Sequence, residues 1–338
     1  MKRFGTICGI ATLALLSTKS EALTFNINWT GSTTAGSPTA IAFQNAANQW
    51  ASLFTDSVTV NLNLGTAALS SGVLAQAGSS SVNVSYTNFR NALNADKTTA
   101  DDILAVNSLP TGSSFSAVSN YWSGVGATPT TFSGINTVNV NLANARALGL
   151  WTANDGNTDA SITFSTAFNW DLDQSNGITP GQYDFTGIAV HEIGHALGFV
   201  SGVDDVDFNA VGNTGSPTTG GWVNPLDLFR FKSGTNIPYL AADNTAKYFS
   251  LDLGATGGSQ LFSNGVQRGD GRQASHWKDN LGLGALDPTA AAGELISISN
   301  LDRRAFDVIG WTPVPEPATM VALGLGIAGL ARRRRKSV

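Results

Sequence analysis

Beyond residue 22 the chain opens on a period-two pattern. Residues 24–30 (TFNINWT) alternate apolar and polar, which predicts a strand with one buried face. Ser37-Pro38 then supplies a helix cap and a first-turn proline. Phe43, Ala47, Trp50 and Phe54 follow at 4-3-4 spacing, the signature of a helix with one apolar face. Val58, Val60, Leu62 and Leu64 alternate as a second strand, so strand–helix–strand order predicts a crossover onto a sheet. The pattern turns helical over 86–106, and 107–134 is Ser/Gly/Thr-rich and reads as loop. Residues 135–142 (INTVNVNL) and 161–168 (SITFSTAF) alternate again as strands. An amphipathic helix is predicted from about 185 to 198. Residues 203–275, rich in Gly, Asn and Asp, predict irregular structure, and a short helix over about 299–309 closes the domain before Trp311. No internal repeat stands out.

The two ends have a different character. Lys2 and Arg3, the apolar run 4–17 and Ser20-Glu21-Ala22 form a secretory signal over 1–22, with cleavage expected after Ala22. The only cysteine, Cys8, lies inside it, so a mature chain has no disulfide, no thiol nucleophile and no cysteine metal ligand. At the other end, Pro315-Glu316-Pro317 precedes an apolar run over 318–331 and then Arg332-Arg333-Arg334-Arg335-Lys336. A short greasy helix closed by basic residues is a membrane stop held by the positive-inside effect. This tail, 313–338, resembles the PEP-CTERM sorting signal of Gram-negative bacteria that export polysaccharide. The resemblance implies processing by an exosortase-type membrane enzyme, membrane contact only through the tail before processing, and an extracellular or cell-surface destination.

Composition sharpens this picture. Hydrophobic residues make up 42% and charged residues 13% of 338, which excludes an acidic or basic disordered chain and a coiled coil. The net charge of −5 argues against nucleic acid as a partner. Without the two basic ends, residues 23–313 hold 11 Lys and Arg against 22 Asp and Glu. Only two of those acids are glutamates, Glu192 and Glu294.

The scarcity of histidine and glutamate gives weight to His191-Glu192-Ile193-Gly194-His195. The chain has three histidines, and two of them stand here, at i and i+4 on the predicted helix. That spacing turns both imidazoles to one side, where they can share a zinc ion. Glu192 beside them is the residue type that takes a proton from an activated water and passes it to a leaving amine. The run continues to Gly198-Phe199 and resembles the metzincin metalloprotease signature, in which a glycine with positive φ ends the helix. In most of that family the third ligand lies three residues past the glycine, where this chain has Ser201, a poor ligand. Asp204 is a nearby replacement and His276 a distant one. The leishmanolysin-type metzincins carry a long insertion before a third histidine followed by tryptophan, and then a methionine turn. His276-Trp277 and Gly284-Ala285-Leu286-Asp287-Pro288 match that layout, with Leu286 in the methionine's place. Leucine keeps the volume and apolarity of such a floor.

The resemblance therefore implies an α+β, metzincin-like zincin over 23–312. A twisted N-terminal sheet and the active-site helix would occupy 23–198, and an irregular C-terminal subdomain 199–312. It implies zinc on His191, His195 and His276, with Glu192 as the catalytic base of a secreted endopeptidase acting on polypeptides. Replacing His276 with Ala is expected to weaken zinc sharply, and replacing Asp204 with Ala to leave it nearly intact. The alternative is a non-catalytic matrix or adhesion protein with a structural or vestigial metal site. Weaker signals remain. Asp171, Asp173, Ser175 and Asn176 before Gly177 form either a calcium loop or a polar turn. Asp204, Asp205 and Asp207 are a second, weaker calcium candidate that reads more readily as a solvated loop, Asp227 and Arg230 read as an ion pair bracing the insertion, and Tyr239 and Tyr248 as candidate oxyanion donors.

Overall fold

The computed structural model describes residues 22–31, 33–120, 128–152, 155–209, 221–256 and 258–315. The expected signal segment and the apolar and basic parts of the tail lie outside the described residues. Strand β1 (Thr24–Trp29), helix α1 (Pro38–Ala51) and strand β2 (Thr59–Ala67) form the predicted crossover, with β1 and β2 parallel. Ser37 Oγ accepts the Ala40 N–H at 3.2 Å and caps α1. Phe43, Ala47 and Trp50 are fully buried along one face of that helix.

Strands β3 (Ala75–Ser79) and β4 (Ser81–Ser85) follow, both missed by the sequence pattern: β3 is built mainly from Ala, Ser and Gly, and β4 is a five-residue strand with only two apolar positions, Val82 and Val84. The helical stretch expected over 86–106 is two helices, α2 (Tyr86–Asp96) and α3 (Ala100–Ser108). Thr99 separates them. Its backbone is extended, its hydroxyl accepts the Asp102 N–H at 3.0 Å, and Asp102 accepts the Thr99 N–H, so a capping box restarts the helix. The expected loop over 107–134 contains strand β5 (Phe115–Ser119) and most of β6 (Thr130–Ile135), paired antiparallel across a bulge. Strand β7 (Thr137–Asn141) pairs with β4, and helix α4 (Leu142–Ala147) leads towards β8 (Ala160–Ser165).

The main sheet runs β1-β2-β8-β3. Its first three strands are parallel, and β3 lies antiparallel at the edge. The short parallel pair β9 (Trp170–Asp171) and β10 (Tyr183–Asp184) delivers the chain to α5 (Phe185–Leu197). The region expected to be irregular, 203–275, holds helix α6 (Val203–Asn209) and a small antiparallel sheet of β11 (Arg230–Phe231), β12 (Lys247–Phe249) and β13 (Leu261–Phe262). Helix α7 (Asn300–Val308) closes the domain. The architecture is mixed α/β, with several small sheets. Among the described residues no helix is long and apolar enough to cross a membrane.

The core gathers around α5. Trp50 Nε1 donates to the Val190 carbonyl at 2.9 Å, which fixes α1 against α5. Trp311 Nε1 donates to the Leu197 carbonyl at 2.8 Å and satisfies the helix end. Trp50, Phe54, Phe306 and Trp311 pack ring to ring between these contacts. Such rings carry most of the apolar burial in a core of this kind.

Helices α3 and α7 meet at two carboxyl groups, Asp102 and Asp307. Asp307 Oδ2 accepts the Thr99 hydroxyl at 2.7 Å, while its Oδ1 is buried without a hydrogen-bond partner. Burial pushes the Asp307 carboxyl up to about 8, and the neighbouring Asp102 adds to the shift. Burial raises Asp102 as well. The folded chain therefore keeps a proton here that the unfolded chain loses above the ordinary value of 3.8. The stability this pair confers is full at acid pH and is lost as the pH rises through about 8. Asp307→Asn fixes the neutral form. The melting temperature of the native chain is expected to fall relative to that variant between about pH 5 and pH 9. Parallel profiles for the two proteins would refute the shared proton.

Candidate metal centre

Helix α5 is set at both ends by local chemistry. Asp184 caps it, accepting the Gly187 N–H at 2.8 Å. Gly198 ends it at φ 120°, a region that side-chain-bearing residues avoid, and turns the chain back under the helix. His191 and His195 project from one side, and Asn141 Nδ2 donates to the His195 carbonyl at 2.8 Å.

His276 reaches the same point from outside any helix or strand. Its carbonyl accepts the Ser263 N–H at 3.0 Å, and the next residue, Trp277, donates its N–H to the Leu286 carbonyl at 2.9 Å. The Trp277 ring is fully buried, and its Nε1 donates to Asp302 Oδ1 at 2.7 Å. Asp302 Oδ2 accepts the Ala285 N–H at 2.8 Å and the Ser299 N–H at 2.7 Å. One buried carboxylate therefore caps α7 and ties together the two strips that flank the histidines.

The three Nε2 atoms lie 3.0, 3.1 and 3.1 Å apart. Each ring uses its Nδ1 elsewhere. His191 Nδ1 meets the Ala285 carbonyl at 2.8 Å, His195 Nδ1 the Phe199 carbonyl at 2.8 Å, and His276 Nδ1 the Gln273 carbonyl at 3.2 Å. A carbonyl only accepts, so each Nδ1 carries the proton and each neutral ring presents a bare lone pair at Nε2. Three lone pairs facing one another have no donor between them and repel. A cation at their meeting point removes the conflict. A tetrahedral zinc site with bonds of about 2.0–2.1 Å sets its nitrogens roughly 3.3–3.4 Å apart, close to the separations found. The donor set fits zinc, and the carbonyl partners on Nδ1 are the usual supports of ligating histidines. Burial pushes His191 and His195 down to about 3 and His276 well below its ordinary value, with the neighbouring rings adding to the effect. Among the described residues no other group of His, Cys, Asp or Glu converges in this way.

Glu192 lies beside this point, 5% exposed, on a cleft of about 580 Å³. Burial pushes its carboxyl up to about 8. The edge strand β3 forms one wall of the cleft, and Asp287, Pro288, Thr289 and Ala290 form part of the other. Leu286 is fully buried against α5, where a Cβ on Gly194 would lie 3.0 Å from its Cδ1. The expected floor residue therefore sits under helix α5.

The other expected residues fall into place differently. Asp204 lines the cleft but is not among the three converging ligands, and both its oxygens accept from residues 274 and 275. Nor is its neighbourhood a solvated loop. Asp207 is buried and accepts the Gln267 and Arg268 N–H groups at 2.8 Å each. Asp227 and Arg230 are fully buried and 3.7 Å apart, the expected brace. The Tyr239 hydroxyl donates to Asp243 and that of Tyr248 to the Gly254 carbonyl, and neither lines the cleft. The oxyanion expectation for these tyrosines is thus overturned: both hydroxyls are spent inside the insertion. In the 171–177 segment, Asp171 accepts the N–H groups of Asp173 and Thr179, and Asp173 that of Ser175, as in a polar turn. Sequence reasoning missed the double role of Asp302. The Ser299-Asn300-Leu301-Asp302 capping pattern is legible locally, but the reach of Asp302 to Trp277 and Ala285 is not.

A family model for the PEP-CTERM protein-sorting motif matches residues 313–336. The motif implies recognition of the tail by an exosortase-type enzyme and export to the surface or exterior of a Gram-negative cell. No curated protein and no solved structure matches the chain. The match begins where the domain ends: Phe54 and Pro313 form an antiparallel bridge, and the Val314 N–H donates to the Leu53 carbonyl at 2.8 Å.

Asp302→Ala leaves three donors without their acceptor, the buried Trp277 Nε1 and Ala285 N–H and the half-buried Ser299 N–H. The expected cost is at least about 2–3 kcal/mol of unfolding free energy, measured by denaturant titration. A loss within about 0.5 kcal/mol, the range of an ordinary surface change, would remove Asp302 from this role.

Proposed function

We propose that the chain is an exported zinc-dependent endopeptidase of metzincin-like build. The observation that carries this reading is the meeting of three proton-free Nε2 atoms within 3.1 Å, beside the Glu192 carboxyl, on an open cleft. The positive φ of Gly198, the buried Leu286 under α5 and the long insertion before His276 support the metzincin-like architecture. Strand β3 ends the main sheet, so its outer edge offers main-chain groups to an extended polypeptide laid along the cleft.

When bound at the triad, zinc supplies a Lewis acid that acidifies a water and polarises a carbonyl. His191, His195 and His276 keep neutral lone pairs aimed at one point, each ring fixed through its Nδ1. In its ionised form, which a neighbouring cation favours over burial alone, the Glu192 carboxylate takes a proton from the attacking water and delivers it to the nitrogen of the departing amine. His276 is buried and His191 and His195 are half-buried at the cleft, and the low dielectric on their protein side strengthens each electrostatic contact. A structural metal would be expected to find a fourth protein ligand, and among the described residues none joins the three. That observation favours catalysis over the matrix-protein alternative.

The exported protein is expected to carry about one zinc per chain by elemental analysis. A folded protein without zinc would end the metal reading. Glu192→Gln should retain the metal while hydrolysis of an unfolded protein substrate falls by about 10²–10⁴-fold. Undiminished cleavage by that variant would take Glu192 out of the mechanism.

A further inference from the structure

His276 is the only member of the triad without a helix to hold it. Its Nδ1 contact, 3.2 Å to the carbonyl of exposed Gln273, is also the longest of the three. Its position therefore depends on the backbone on both sides: Trp277 anchors the chain after it, and the rest falls to the backbone that leads to it. That backbone is held by Asp204, in the first turn of α6. Asp204 Oδ1 accepts the Ala274 N–H at 2.6 Å, and Oδ2 accepts the Ser275 N–H at 3.0 Å and the Ser275 hydroxyl at 2.5 Å. The Ser275 Oγ in turn accepts the Ser201 N–H at 2.9 Å. On the far side of the same residue, Arg230 Nη2 donates to the Ala274 carbonyl at 2.5 Å. Arg230 is anchored by Asp227, which also accepts the Ser201 hydroxyl at 2.5 Å. The insertion thus leaves and returns at one knot, three residues after Ser201 and two before His276.

We infer that Asp204 is the positioning residue of the triad: it clamps residues 274 and 275 so that His276 Nε2 arrives beside His191 and His195. The inference rests on the reading of the triad as a metal centre. It revises the expectation that Asp204 is irrelevant to zinc if it is not a ligand. Asp204 acts through His276, and that gives it a signature which a general loss of stability lacks.

The test is a zinc titration of the full chain against a competing chelator, with melting curves of the metal-free proteins alongside. Asp204→Ala should weaken zinc by about 10–100-fold, the usual range for a group supporting a ligand. Asp204→Asn, which keeps one acceptor oxygen, should fall between it and the native chain. In a His276→Ala background, adding Asp204→Ala should change zinc affinity by less than about twofold, because the clamp then has nothing to position. Amide exchange in the metal-free protein should quicken at 274–276 without spreading to α5. Where Asp204→Ala does not fold, Ser275→Ala serves instead, with a smaller loss in the same direction. Native affinity in the folded Asp204 variant, or a loss that adds in full to that of His276→Ala, overturns the inference and leaves the metal reading intact. A native chain that binds no zinc overturns both.

Discussion

Three imidazole lone pairs aimed at one point are the constraint around which the molecule is arranged. They approach to 3.0–3.1 Å with every ring proton turned away, an arrangement that repels itself unless a cation is shared. Holding it needs three separate carbonyl acceptors, from Ala285, Phe199 and Gln273. Each lies on a different stretch of chain, so the segment after α5, the returning insertion and the strip before α7 must all be fixed at once. The aromatic core beneath α5 and the buried acceptors above it meet that requirement.

Charge is rare in this domain, and where it is buried it organises backbone. Asp302 gathers Trp277, Ala285 and Ser299, and Asp227 gathers Ser201, Gly202 and Asn224. Arg146 on α4 is fully buried against Asp159, whose other oxygen accepts the Asn61 N–H of β2 at 2.7 Å. A buried carboxylate with several donors offsets its own desolvation and leaves little freedom to the chain segments that supply them. Among the described residues of 199–299, where regular secondary structure is sparse, such hubs replace the ladders that helices and strands provide elsewhere. Gly202 belongs to the same logic: a Cβ there would fall 1.5 Å from the Trp222 carbonyl, so the approach of the two segments requires glycine.

The cleft and the start of the sorting motif are built on different segments of the domain. The edge strand β3 and the 287–290 strip flank the histidines, while the sorting motif starts on the Leu53–Phe54 side, bridged to the domain by its first residue. Thr312, just before it, donates its N–H to Asp56 at 2.9 Å. The domain therefore reaches to the first residues of the motif without an intervening linker.

The sequence by itself determined the elements whose causes are local. The period-two runs of β1, β2, β7 and β8, the capped helix α1, and the helix carrying His191 and His195 follow from side-chain spacing within a few residues. So does the Gly198 stop. It failed where local signals are diluted or doubled, as in β3, built mainly from small residues, and at Thr99, where a second cap divides one helical stretch into two. Only the tertiary structure decided what meets the two helical histidines. Between Gly198 and His276 the chain makes an excursion of more than 70 residues, and its return is fixed by hydrogen bonds that Asp204 and Asp302 accept from, and Arg230 donates to, groups distant in sequence. No pattern of neighbours encodes such contacts, because each joins groups that are remote along the chain and close only once the core has formed.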